Sequence, residues 1–344
     1  MKILIQKILA ATAATAVLSG CGTKHSENLS GAGATFPAPF YNIAVKDYAT
    51  ASGDKVSYGA TGSGAGIRSL KDKTVDFGAT DVFLSDAELA EMDAEIVHIP
   101  TCLGAVVMSY NLKGVDNLKL NAALVAEIYL GKITKWNDRK IQLLNPNLHL
   151  PDQTITPVYR SDGSGTTAVF SEYMSATDSA WQAIIGSGKS LSFPTGIAAK
   201  GNPGVAGVIV ETAGAIGYVG SEYAFALNLA SAAFQNSAGN FVKADVKSIS
   251  AAANVDMPAD TRVVVSNSPN ADAYPVSTFT WIIVYKNQNY NARTKEHAES
   301  LKRFLNYIIG AEGQAAAEKT FFAPLPPKAA ERARAAVESM KYEL

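Results

Sequence analysis

Hydrophobic and polar positions change period repeatedly along this chain. Between Arg293 and Ile309, the residues Leu301, Phe304, Leu305 and Ile308 recur at the spacing of one helical face, and Gly310 follows as a stop. Phe40 to Thr50, Ala122 to Leu130 and Thr166 to Ser175 read as further helices. Val56 to Gly59, Ala105 to Tyr110, Thr156 to Arg160, Ile216 to Val219 and Thr278 to Tyr285 are short runs rich in β-branched and aromatic residues, and predict strands. Strands that alternate with helices along the whole chain imply an α/β architecture with open sheets. No internal repeat is visible.

The N-terminus departs from this pattern. Lys2 and Lys7 precede an uncharged, mostly apolar run from Ile8 to Leu18, and Leu18-Ser19-Gly20-Cys21 follows. The run is too short to span a bilayer and has the shape of an export signal, covering residues 1–20. Small residues ahead of a cysteine resemble a lipobox, which makes Cys21 the expected lipidated residue. Gly22 to Asn28 is small and polar and reads as a tether to the membrane. At about 3.5 Å per residue it reaches no more than roughly 25 Å. The expected location is therefore outside the cytoplasm, anchored by lipid to a bacterial membrane.

With 344 residues, the chain has room for two lobes, each with its own core. Removing Lys2 and Lys7 leaves 28 basic against 31 acidic residues, a net charge of −3. This balance argues against nucleic acid, which needs a basic face. Any bound anion must be held by local dipoles. Once Cys21 carries lipid, Cys102 has no intramolecular partner, and its apolar neighbours predict a buried, inert thiol. The histidines, His25, His98, His149 and His297, show no zinc-like spacing, so neither a metal nor a cofactor is expected.

Three glycine-rich segments carry the candidate chemistry. They are Gly31-Ala32-Gly33-Ala34-Thr35-Phe36-Pro37, Gly59-Ala60-Thr61-Gly62-Ser63-Gly64-Ala65-Gly66 and Arg160-Ser161-Asp162-Gly163-Ser164-Gly165-Thr166-Thr167. Each runs into a predicted helix. A helix N-terminus has unpaired N–H groups and about half a positive charge. Glycines let that backbone approach an anion, and Ser or Thr hydroxyls add donors. If the three loops converge, they surround a small anion with donors and almost no net charge. Familiar alternatives do not fit. Gly64 is followed by Ala65 where a Walker A loop needs Lys, and Gly62 to Gly66 misses the dinucleotide spacing. Ser63 and Ser164 lie directly between glycines, unlike a nucleophile elbow. A hydrolase or phosphatase would need a base beside one of these serines, and the sequence places no His or Lys there. In Asp76-Phe77-Gly78-Ala79-Thr80-Asp81, a short apolar stretch ends in a carboxylate that a turn does not readily explain. Asp86, by contrast, fits a helix start.

Gly31 to Pro39, Val75 to Asp81, Ile128 to Trp136 and Asp162 to Thr166 together, and in this order, resemble the periplasmic phosphate-binding proteins of high-affinity phosphate ABC importers. The resemblance covers roughly residues 29 to 344. It implies a type II periplasmic-binding fold, two α/β lobes with a ligand cleft between them. Residues 29–103 plus 275–344 would form lobe one, and 104–274 lobe two. It implies that inorganic phosphate is bound by Thr35, the Phe36 amide and Ser63 from lobe one, and by Arg160, Ser164, the Gly165 amide and Thr166 from lobe two. Asp81 would accept the phosphate's own proton, and Asp162 would hold the Arg160 guanidinium. The expected partners are the importer's membrane subunits, and the expected state is a monomer with no enzymatic activity. A site for another oxyanion such as sulfate is the alternative, and Asp81 argues against it. Thr80 and Gly64 stand where members of the family often have Ser.

Overall fold

The computed structural model describes residues 27–344, so the expected export signal and Cys21 lie outside the described residues. The strands are β1 (Asn28–Gly33), β2 (Lys55–Ala60), β3 (Phe77–Thr80), β4 (Ile96–Tyr110), β5 (Lys119–Leu120), β6 (Thr156–Arg160), β7 (Ile197–Ala199), β8 (Ala215–Gly220), β9 (Ala230–Ser231), β10 (Ala233–Gln235), β11 (Phe241–Val242) and β12 (Ser277–Tyr285). The helices are α1 (Ala38–Ser52), α2 (Ser63–Lys71), α3 (Asp86–Ala90), α4 (Ala122–Tyr129), α5 (Arg139–Leu144), α6 (Gly165–Thr177), α7 (Ser179–Ile184), α8 (Gly201–Glu211), α9 (Ser221–Ala226), α10 (Val246–Ala252), α11 (Lys295–Ile309), α12 (Ala311–Lys319) and α13 (Pro327–Glu338).

One long sheet runs in the order β2-β1-β3-β12-β4-β8-β6-β7, with β9 added beside β4. Its two halves, β2-β1-β3-β12 and β8-β6-β7, meet at β4. β4 belongs to both: its first part pairs with β12 from Ile96 to Ala105, and its last part pairs with β8 from Val106 to Tyr110. Every residue of β4 and β12 is buried, as fits strands covered on both faces by helices. The register of β12 on β4 shifts between Thr280 and Trp281, opposite Pro100 and Cys102. Pro100 has no N–H to give a regular ladder, and the bulge accommodates it. Cys102 is buried without a disulfide, and burial pushes its thiol well above the usual range.

Two features place the loops that matter. β1 is a strand although it is rich in glycine. A Cβ on Gly31 would lie 2.1 Å from the Phe77 ring, so the bare backbone lets β1 seat beside β3. A Cβ on Gly66 would lie 2.4 Å from the Gly33 Cα, so α2 also rests directly on β1. The first loop is therefore the end of a strand, and its glycines serve packing rather than ligand approach.

The amphipathic α11 buries Leu301, Phe304, Leu305 and Ile308 as the spacing predicts, with Thr294 Oγ1 accepting from the His297 N–H at its start. His297 is more than a surface residue. Its ring contacts Glu27 at 3.0 Å and Asp76 at 2.8 Å, and the Glu27 N–H donates to Asp54. With Asn28 opposite Lys55 in the parallel pairing of β1 and β2, Glu27 and Asn28, the last residues of the stretch expected to be tether, are tied into the sheet. His98 is buried and accepts from the Leu84 N–H. Within the span expected for lobe two, Thr261 donates to the His98 carbonyl and Arg262 contacts Asp86, so this segment packs back on lobe one.

Candidate functional site

The three loops meet. The Gly64 N–H donates to the Gly163 carbonyl at 2.9 Å, joining the second loop to the third. A Cβ placed on Gly165 would lie 2.5 Å from Ser63 Oγ and 2.6 Å from Asp81 Oδ2, so these residues share one small volume. Thr35 and Thr166 are linked through Asn202, which donates to both hydroxyls at 3.1 and 3.0 Å. Thr35, Ser63, Asp81, Arg160, Ser164 and Thr166 are all buried. Burying so many polar groups together is costly without partners. The site stands where β1, β3 and β6 end and where α1, α2 and α6 begin. Their first turns supply N–H groups that have no partner within their own helices.

The charges are arranged in opposition. Arg160 extends from β6, and its Nε and Nη2 donate to the two carboxylate oxygens of Asp162 at 2.8 and 2.6 Å. Burial works to raise the Asp162 carboxyl, but the bonds from Arg160 and the Gly201 N–H hold it below the ordinary carboxylate range. The remaining edge of the guanidinium, Nη1, reaches Thr166 Oγ1 at 3.3 Å. Asp81 closes the opposite side. Its Oδ1 accepts from Thr280 at 3.0 Å. Burial pushes its pKa up to about 7, against the lowering effect of the Thr280 hydroxyl, the Arg160 charge and the Thr166 hydroxyl. This refines the sequence reading, which took Asp81 as simply ionised.

Three of the hydroxyls, those of Thr35, Ser164 and Thr166, already accept hydrogen bonds from the protein. Thr35 Oγ1 accepts from both the backbone N–H and the side chain of Asn202. Ser164 Oγ accepts from the Thr167 N–H as the cap of α6. Thr166 Oγ1 accepts from Asn202 and Arg160. A hydroxyl has one proton and two lone pairs. With both lone pairs of Thr35 and Thr166 engaged, and one of Ser164, each of the three keeps a proton to give. Ser63 Oγ is 1% exposed and has no hydrogen-bond partner among the described residues. The chemistry is that of a cavity that donates from nearly every direction and accepts at one carboxylate.

All eight expected contact residues lie here. Phe36 buries its ring edge-on to Phe322, which fixes the peptide just before α1. Sequence reasoning missed three supports. Asn202 lies in Gly201-Asn202-Pro203-Gly204, a fourth glycine-containing stretch at a helix start, and that signal was present in the sequence. Thr280 holds Asp81, and Tyr218 accepts from the Arg160 N–H while its hydroxyl meets Thr167 at 2.9 Å. Nothing local to either residue marks it. Among the described residues no group of three or more His, Cys, Asp or Glu could hold a metal ion.

Two lobes on a shared sheet, with a polar cleft at the strand ends, define a substrate-binding protein of the type II periplasmic-binding fold. Residues 11–312 match the family model described as the PBP superfamily domain. The phosphate-binding protein PstS of Xylella fastidiosa strain 9a5c is 39% identical over 308 residues, 88% of this chain and 82% of the relative. The PstS of Haemophilus influenzae is 37% identical over 306 residues, 88% of this chain and 90% of the relative. The chain belongs to the PBP superfamily and, within it, to the family of phosphate-binding proteins PstS. Solved structures share the fold. A high-affinity periplasmic phosphate-binding protein bound with phosphate superposes with TM-score 0.70 at 21% identity, over 90% of this chain and 93% of that one. A phosphate-binding protein from Stenotrophomonas maltophilia superposes with TM-score 0.68 at 21% identity, over 90% and 94%.

Proposed function

We propose that this protein binds inorganic phosphate outside the cytoplasmic membrane and delivers it to the membrane subunits of an ABC importer, without catalysing a reaction. The observation that carries this reading is the polarity of the cleft. Thr35, Ser164 and Thr166 have protons to donate, Ser63 has no hydrogen-bond partner among the described residues, and Asp81 accepts. Phosphate near neutral pH presents acceptor oxygens all round and keeps at least one proton. Its oxygens match the donors, and its hydroxyl matches Asp81. Arg160 supplies one charge, largely offset by Asp162, and the starts of α1, α2 and α6 supply the rest as dipoles.

Thr35, the Phe36 amide, Ser63 and Asp81 form the lobe-one half of the site. Arg160, Ser164, the Gly165 amide and Thr166 form the lobe-two half. Hinge bending of β4, which runs through both halves of the sheet, brings the halves together. Lobe one comprises about residues 29–103 and 275–344, and lobe two about 104–274, apart from the segment around Thr261 and Arg262. Lipidation at Cys21 holds the protein, acting as a monomer, close to the membrane. The test is calorimetry on the purified domain lacking residues 1–21, with phosphate and sulfate as titrants. Tight one-to-one phosphate binding with sulfate far weaker is expected, and equal affinity for both would overturn the reading.

A further inference from the structure

Asn202 is fully buried, and each polar group of its side chain is committed. Its Oδ1 accepts from the Gly220 N–H at 3.0 Å. That bond fixes the amide's orientation, because the acceptor must face Gly220. Its Nδ2 therefore points the other way and donates to Thr35 Oγ1 at 3.1 Å and to Thr166 Oγ1 at 3.0 Å. Its backbone N–H, at the start of α8, adds a further donation to Thr35 Oγ1 at 3.0 Å. Thr35 belongs to one lobe and Thr166 to the other. Gly201 permits the approach: its φ is +71, and a Cβ there would lie 3.2 Å from Thr35 Cγ2.

We propose that Asn202 is a positioning residue that keeps both threonine protons turned away from itself, making Thr35 a donor toward the ligand, directing the Thr166 proton to the side where Asp81 and the ligand lie, and joining their orientation across the closed cleft. This inference rests on the phosphate reading. The physical reason is directional. A hydroxyl that must accept from an amide cannot give its proton to that amide, so the proton turns to the remaining acceptor, a ligand oxygen for Thr35 and the Asp81 carboxylate or a ligand oxygen beside it for Thr166. Asparagine achieves this without adding a charge beside the Arg160–Asp162 pair. An aspartate of the same shape would reverse it, accepting both threonine protons.

The Asn202→Asp variant separates this role from a merely structural one, because its carboxylate can still accept from the Gly220 N–H. Phosphate binding to wild type, Asn202→Asp, Thr35→Val and the double variant is measured by calorimetry, with circular dichroism as the folding control. Asn202→Asp is expected to weaken phosphate about 100-fold or more. Its cost in the Thr35→Val background is expected to be at least about fivefold smaller, since one of its targets is then gone. Asn202→Asp binding within about threefold of wild type overturns the inference, and so does a full loss that is unchanged in the Thr35→Val background. If Asn202→Asp does not fold, Asn202→Ala enters the same cycle with the same expectation of non-additivity. Wild type that fails to bind phosphate overturns the functional reading and this inference together. Wild type that binds beside an indifferent Asn202→Asp overturns the inference alone.

Discussion

Arg160 is gripped by Asp162 along one edge of its guanidinium, at 2.8 and 2.6 Å, and offers the other edge to Thr166 and the cleft. The Arg160 side chain is buried, 1% exposed, and Asp162 beside it is partly buried. A buried pair is expensive to break, because the survivor keeps its charge without compensation. Arg160→Ala is expected to weaken phosphate roughly tenfold or more, since charge-assisted hydrogen bonds contribute about 1.5–3 kcal/mol each. Asp162→Asn should release positive charge toward the ligand and tighten phosphate, sulfate or both, with a steeper dependence on salt. Calorimetry at low and high ionic strength checks both, and unchanged affinity in both variants would remove Arg160 from the site.

Asp81 is expected to set the selectivity and its pH dependence. When ionised it can accept the phosphate proton, but it would meet sulfate with lone pairs alone. Sites that pair a particular ligand hydroxyl can reject analogues lacking it by about 10⁴–10⁵-fold. Because burial raises its pKa to about 7, Asp81 is protonated at lower pH, where it can donate to sulfate. Sulfate affinity should therefore rise as pH falls through about 7, although sulfate itself does not titrate there. Asp81→Asn should keep much of the phosphate affinity, relax the rejection of sulfate and flatten this pH dependence. Competition binding at several pH values reads all three, and a pH-independent ratio of sulfate to phosphate in wild type would count against the assignment.

Gly165→Ala tests the closeness of the two lobes. The added methyl would lie 2.5 Å from Ser63 Oγ and 2.6 Å from Asp81 Oδ2. Gly165 is in the first turn of α6 and does not need a left-handed backbone, so the fold should tolerate alanine. The expected outcome is a loss of phosphate affinity of about 100-fold or more with little change in melting temperature. Thermal unfolding beside calorimetry separates the two effects, and near-normal binding would mean that the lobes do not close this tightly around the ligand.

Cys21→Ser tests the anchor. Stable attachment takes about two acyl signals, which a lipoprotein cysteine supplies. The variant is expected in the soluble fraction of cells, while wild type stays with membranes after a salt wash. Retention of the variant on membranes would rule out Cys21 as the attachment point.

Much of the site was legible because its chemistry is local. Ser63 and Ser164 sit among glycines at helix starts, and Arg160 and Asp162 are two residues apart, so their pairing needs only a strand end. The supports were not legible for the opposite reason. Asn202 matters because α8 lies across the cleft from Thr35, a neighbour far away in sequence. Thr280 matters because β12 pairs antiparallel with β3, bringing it beside Asp81. The strands show the same limit. Thr156 to Arg160 was read with its observed bounds, whereas β1 looked like a loop because its glycines answer to Phe77 and to α2. The first part of β4 was obscured by Pro100, which only the bulge opposite makes acceptable.

The seating of Glu27 has a mechanical consequence. Its N–H on Asp54, its carboxylate on His297 and the pairing of Asn28 with Lys55 all belong to the same lobe. A pull exerted on the chain from its N-terminal side enters that lobe through the outer strands of the sheet. It runs down β1 as shear shared with β2 and β3 and does not reach β4 directly. Lobe two is thus left unloaded, able to swing on its strand hinge while the other half takes the strain of whatever holds the protein in place.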